Sequence, residues 1–200
     1  MSNMPAIQRR PIISGEVASR NAQGIVRPAQ VSARFSLRLP ASAAEEVANV
    51  SGLQIDLPIN TCRATGDCIS ARLGPDEWLL LGPETQTESL AREIAKGLEG
   101  RFFSLVDIGH RNVSILVEGN RAREIINGGC ALDLDDPRFP AGSATRTLLG
   151  KAEIVLIRSV SREHYRIECW RSFAPYVYGF LSEVAREFVG REGRYDHERI

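Results

Sequence analysis

Apolar and polar positions alternate with a period of two from Val31 to Leu39. Val31, Ala33, Phe35, Leu37 and Leu39 interleave with Ser32, Arg34, Ser36 and Arg38. That spacing predicts a strand with one buried and one polar face, and Pro40 ends it. A short helix is expected over 41–50, with Ser42 as N-cap and Glu45 closing a capping box. Strands are expected over 68–73 and 77–81, joined by the Gly74-Pro75-Asp76 turn. Leu90, Ile94 and Leu98 repeat every four residues and predict a helix over 85–98. A strand over 101–108 leads into the Gly109-His110 turn.

A similar order then returns. Val113, Ile115 and Val117 alternate as a strand, Gly119-Asn120 open a helix through Ile126, and Gly128-Gly129 close it. Residues 133–142 read as loop, 145–149, 153–159 and 163–170 as strands, and 173–188 as a helix with Val177, Leu181, Val184 and Phe188 on one stripe. EWLLLGPETQTESLAREIAKGL and HYRIECWRSFAPYVYGFLSEVA share one organisation, with Trp78 answering Tyr165 and Leu80 answering Ile167. The expected class is α+β: two related strand-helix-strand-strand-helix units, with halves at about 31–108 and 109–190, whose mainly antiparallel sheets share one core. Residues 1–30 are broken by Pro5, Pro11, Gly15, Gly24 and Pro28 and read as an extended N-terminal arm. Its anchors are Ile12-Ile13 and Ile25-Val26, and its arginines, among them Arg9, Arg10 and Arg27, suit carboxylates on a partner. Residues 191–200 read as a charged tail.

Composition narrows the function. With 43% hydrophobic residues and 25 basic against 25 acidic side chains, the chain is globular and carries no net charge that would favour nucleic acid or an anionic membrane. No apolar run is long enough to span a bilayer and no signal-peptide core is present, so the expected location is the cytoplasm. Cys62, Cys68, Cys130 and Cys169 form no CxxC pair, and the three histidines add no metal-ligand spacing.

Catalytic signals are sparse. Asp107 and His110 share a turn, but no nucleophile is tied to them, and an Asp at a strand end more often holds turn amides. Cys130 follows a helix C-terminus, whose dipole disfavours a thiolate. Asp133, Asp135 and Asp136 lack the EF-hand spacing. No Gly-rich phosphate loop is spelled out. Trp170, Phe173 and Tyr176 make an aromatic end suited to core or interface anchoring.

Val106 to Ser182 resembles the folate-binding fold of the glycine-cleavage T-protein (aminomethyltransferase) family, through Asp107-Ile108-Gly109-His110 and the following NVSILVEGNRAREII. The segment ARLGPDEWLLLGPE (71–84), with VDIGHRNVSILVEG and CALD (130–133), is similar to the gamma-subunit family of heterotetrameric sarcosine oxidases. The resemblance runs from about residue 30 to 190. It implies an accessory chain without catalytic residues of its own, in an assembly that oxidatively demethylates sarcosine to glycine. Formaldehyde or methylene-tetrahydrofolate and hydrogen peroxide are the implied products. It places FAD, FMN, NAD, tetrahydrofolate and zinc in partner subunits (alpha, beta and delta), with alpha as the chief contact. Interface candidates are Arg9, Arg10, Ile12, Ile13, Arg27, Trp170, Phe173 and Tyr176.

The T-protein resemblance also aligns Glu153 with an acidic residue that engages folate in that family. A Trp170 side chain falls where the family has a small polar segment, and would fill the folate pocket. The alternative reading is a stand-alone folate-binding aminomethyltransferase-like protein, and a third is a general interaction module.

Overall fold

The computed structural model describes residues 12–13, 25–158 and 164–188. Strand β1 (Ile25–Pro28) precedes the first unit. That unit runs β2 (Ser32–Arg38), α1 (Ala41–Val47), a small ribbon of β3 (Asn49–Val50) and β4 (Leu53–Gln54), β5 (Thr61–Thr65), β6 (Cys68–Arg72) and β7 (Glu77–Pro83). A 3₁₀ turn, Glu84–Gln86, leads into α2 (Thr87–Gly97), and β8 (Ser104–Asp107) follows. The second unit runs β9 (Asn112–Glu118), α3 (Ala122–Asn127), β10 (Ser143–Leu149), β11 (Ala152–Arg158), β12 (His164–Trp170) and α4 (Ala174–Glu187).

Ten strands form one sheet in the order β1-β9-β12-β11-β10-β5-β6-β7-β2-β8, and its pairings are antiparallel. The class is α+β with an antiparallel sheet, as the periodicity predicts, and the two units repeat one topology. The first unit places its strands as β5-β6-β7-β2, and the second as β10-β11-β12-β9. The registers match too: Trp78 faces Leu37 and Leu80 faces Phe35, while Tyr165 faces Val117 and Ile167 faces Ile115. The repeated part of each unit is thus four strands, and β5 is the one that the sequence pattern did not predict. The units meet where β5 and β10 pair at Thr61 and Ser143, helped by backbone bonds from Cys62 N to Gly142 O (2.7 Å) and Ala144 N to Asn60 O (3.0 Å).

Period-two patterning sends the side chains of this sheet to two sides. Ala33, Phe35, Leu37, Trp78 and Leu80 meet Leu90, Ile94 and Leu98 of the α2 stripe. Ile115, Val117, Ile154, Tyr165 and Ile167 meet α3 and α4. A third cluster joins the units on the opposite side of the sheet: Cys62, Ala71, Leu79, Leu81, Ile108, Ala144, Val155 and Ile157. Trp78 is fully enclosed; its indole donates to Ile55 O at 2.9 Å and the Arg72 guanidinium stacks 4.9 Å from its ring.

Three local expectations are corrected. Helix α1 is capped by Pro40, not Ser42: the fixed proline φ (−56°) starts the helix at Ala41, and no side chain caps it. Residues 25–28, expected in the arm, pair with β9 as a strand, and Val26 is fully buried. The α4 stripe is Ala174, Val177, Leu181 and Ala185, while Val184 and Phe188 lie half-buried to one side.

Candidate functional site

The motifs that carried the family resemblance serve the fold. In ARLGPDEW, Arg72 donates to Leu57 O (2.7 Å), Pro75 O (2.8 Å) and Gly74 O (3.2 Å) and so clamps its own turn. In the DIGH turn, the Asp107 carboxylate accepts from Gly109 N at 2.7 Å, the amide-holding role expected of an Asp at a strand end. In the CALD segment, Asn127 Nδ2 donates to Cys130 O (3.0 Å) and Leu132 O (2.6 Å).

The densest polar constellation lies between the units. Arg34 of β2 donates through Nε to Glu168 of β12 at 2.8 Å, through Nη1 to Ser32 O at 3.0 Å and through Nη2 to Ser114 Oγ of β9 at 2.5 Å. Arg166 donates to Glu168 at 2.8 Å, to Ser114 Oγ at 2.7 Å and to Ser32 Oγ at 2.9 Å, and Ser114 donates to Glu168. Arg34 is 2% and Glu168 1% exposed. Burial alone would raise the Glu168 pKa. Arg166, Arg34 and the Ser114 and Arg166 hydrogen bonds outweigh it and hold the carboxyl below the usual range.

The sequence pattern places Arg34 on the polar face of its strand and gives no sign of this cluster. The only signal was an alternating charge pattern on two distant strands, and topology alone joins them. Five strands separate β2 from β12 in the sheet, which in a flat sheet would put them about 29 Å apart. Their direct hydrogen bond shows that the sheet curls until the units face each other.

The acids of the Asp133 loop hold arginines: Asp135 pairs with Arg123 (2.9 Å) and Asp136 with the buried Arg158 (2.6 Å). No group of metal-ligating side chains occurs among the described residues. Cys130 is buried, 4.0 Å from Thr147 Oγ1. Burial pushes the Cys62 thiol up to about 11 and the Cys169 thiol up to about 12, so neither is a nucleophile near neutrality.

Glu153 lies on β11, where Arg146 Nη1 binds it at 2.8 Å in an exposed pair. Arg146 also binds Glu77. Beside Trp170, where the resemblance locates a folate pocket, the cavity bounded by Trp170, Arg111, Arg146 and Leu79 measures about 30 Å³. That is room for about one water, not a pterin. The residues present do not fit tetrahydrofolate at that place.

The interface candidates separate into groups. Arg9 and Arg10 lie outside the described residues. Ile12 and Ile13 pack half-buried on the second unit's core. Arg27 makes a bidentate pair with Glu118 (2.8 and 3.0 Å), so its charge is met within the sheet. Trp170, Phe173 and Tyr176 are 45%, 38% and 41% exposed, and the rings of Trp170 and Phe173 lie 6.0 Å apart.

A second apolar surface was not singled out from the sequence. Phe102, two residues before β8, is 90% exposed, and Val106 on β8, the last strand of the sheet, is 51% exposed. The signal was present in Phe102-Phe103. Of these two adjacent aromatics, only Phe103 packs on the core.

None of the described helices is long and apolar enough to cross a membrane. No curated protein sequence matches the chain. Among solved structures, a chain of the heterotetrameric sarcosine oxidase from Corynebacterium sp. U-96, in complex with pyrrole 2-carboxylate, is similar over 88% of this chain and 90% of its own, with 20% identity and a TM-score of 0.75. The glycine cleavage system aminomethyltransferase T from Bartonella henselae is similar over 82% of this chain and 47% of its own, with 13% identity and a TM-score of 0.64. Both share the fold. The sequence matches the sarcosine oxidase, gamma subunit family over residues 38–187, and the chain belongs to that family.

Proposed function

We propose that this chain is the accessory gamma subunit of a heterotetrameric sarcosine oxidase and acts through its surface rather than through an active site. The observation that carries the reading is the family match over 38–187. The exposed aromatic end at Trp170, Phe173 and Tyr176 and the apolar sheet edge at Phe102 and Val106 support it. Patches of this kind on a soluble chain are contact surfaces. The alpha subunit is the chief partner, with beta and delta completing the assembly in the cytoplasm.

In this reading the assembly demethylates sarcosine to glycine, with hydrogen peroxide and formaldehyde or methylene-tetrahydrofolate as products. FAD, FMN, NAD, tetrahydrofolate and zinc reside in the partner subunits. The gamma chain scaffolds the alpha subunit. Ile12 and Ile13 rest on the second unit's core.

The test is affinity purification of the tagged full chain from its native cells, with mass spectrometry and an absorbance spectrum. A yellow complex of four different chains that releases peroxide on addition of sarcosine is expected. A colourless, solitary protein would overturn the proposal.

A further inference from the structure

A cavity of about 230 Å³ opens against the polar cluster between the units. Ile12, Ala29, Val31 and Val113 supply apolar wall, and the polar wall includes Arg34, Ser114, His110 and Arg171. No acidic side chain lines it among the described residues. The cluster itself is unbalanced. Arg34 and Arg166 share one carboxylate, Glu168, and among the described residues no second acid pairs with either. Arg34 and Glu168 are buried, and Arg166 is the partly exposed member of the three. Arg34 spends three of its five N–H groups on protein acceptors. A buried guanidinium with donors to spare, at the wall of a largely apolar cavity, is a site for an anion with a hydrocarbon body.

We propose that this cavity binds a small organic monocarboxylate, its carboxylate on Arg34 and its hydrocarbon part against Ile12, Val31 and Val113. An amino acid zwitterion is disfavoured, because its ammonium group would bring a further positive charge beside Arg34 with no lining acid among the described residues to meet it. Inorganic anions would satisfy the charge and leave the apolar walls uncovered. The site stands on this geometry and is independent of the assembly to which the chain contributes.

Removing Arg34 would leave Glu168 less compensated and risks unfolding, so the cavity is tested from its apolar side. Ala29 is half-buried and its backbone N–H bonds Ser114 O at 3.0 Å, an interaction that Ala29→Leu retains while the larger side chain fills the space. The full chain is titrated calorimetrically with benzoate in low-chloride buffer, and in parallel with benzamide and with chloride. Benzoate is expected to bind saturably at one site. Benzamide, which lacks the charge, should bind at least about ten-fold more weakly. Ala29→Leu should lose benzoate binding by at least about the same factor with an unchanged melting temperature. Absence of saturation at millimolar benzoate, equal binding of benzamide, chloride binding without benzoate binding, or full affinity in Ala29→Leu would each overturn the proposal.

Discussion

The guanidinium of Arg34 and the carboxylate of Glu168 are 134 positions apart in sequence and 2.8 Å apart in space. The bond ties the first strand of one unit to the last strand of the other. Because β2 and β9 occupy equivalent places in the two units, Arg34 also meets Ser114, its own counterpart in the repeat. The cluster thus sits where the repeated halves meet and uses different residues from each.

Arg34→Met should therefore destabilise the chain by about 3 kcal/mol, because it strips one of two charge partners from a buried carboxylate. Urea unfolding measures it. A loss under about 1 kcal/mol would mean that Arg166 suffices to hold Glu168.

Acid stability should follow the same carboxyl. Glu168 has its folded pKa below the unfolded value. Its contribution is therefore present above the unfolded pKa, about 4.3. It is lost as pH falls below that value and through the lower folded one. Denaturation free energy measured from pH 7 down to pH 3 should fall in that acidic window, and the fall should shrink in Glu168→Gln. An equal slope in the variant would contradict this.

Thiol reactivity gives a third check. Cys62 and Cys169 are held protonated by burial and Cys130 is enclosed, while Cys68 is half-buried. Native protein treated with an alkylating agent at pH 8 should modify Cys68 first, and peptide mapping identifies the site. Modification of Cys169 at a comparable rate would show that the second unit opens readily.

At the β10–β11 turn, Gly150 has φ +55° and lies against the Tyr176 hydroxyl, which accepts from Lys151 N at 3.2 Å. A Cβ at 150 would collide with that hydroxyl. Gly150→Ala should cost about 2 kcal/mol from backbone strain and the displaced ring together. Tyr176→Phe in the same chain should recover part of the loss. No recovery would assign the whole cost to the backbone.

Much of this fold could be read from hydrophobic period. The stripe Leu90, Ile94 and Leu98 and the equivalence of Trp78 and Tyr165 in the repeat held because each reports on one local surface. Short strands without alternation did not. In β5 only Cys62 is buried, so TCRAT has no apolar rhythm, and β1 is four residues ending in Pro28. Pro28 is tolerated there because β1 lies at the sheet edge. At the candidate site the limit was different in kind. Arg34, Arg166 and Glu168 look like solvent-facing residues until the sheet curls, and periodicity along one strand carries no information about what faces it. The exposed aromatics at 170–176 were legible, because helix-spaced rings beside a strand end exceed what one core needs. Phe102 was hidden inside a segment already explained as a strand.

The proposed function makes the surface, not an active site, this chain's working part. Hydrogen exchange of the full chain, alone and in the complex with which it purifies, tests it most directly. The account predicts protection on assembly at 102–107 and 170–180, where Phe102, Val106, Trp170 and Phe173 are exposed in the free chain. Unchanged exchange at both segments, with protection confined to other surfaces, would contradict it.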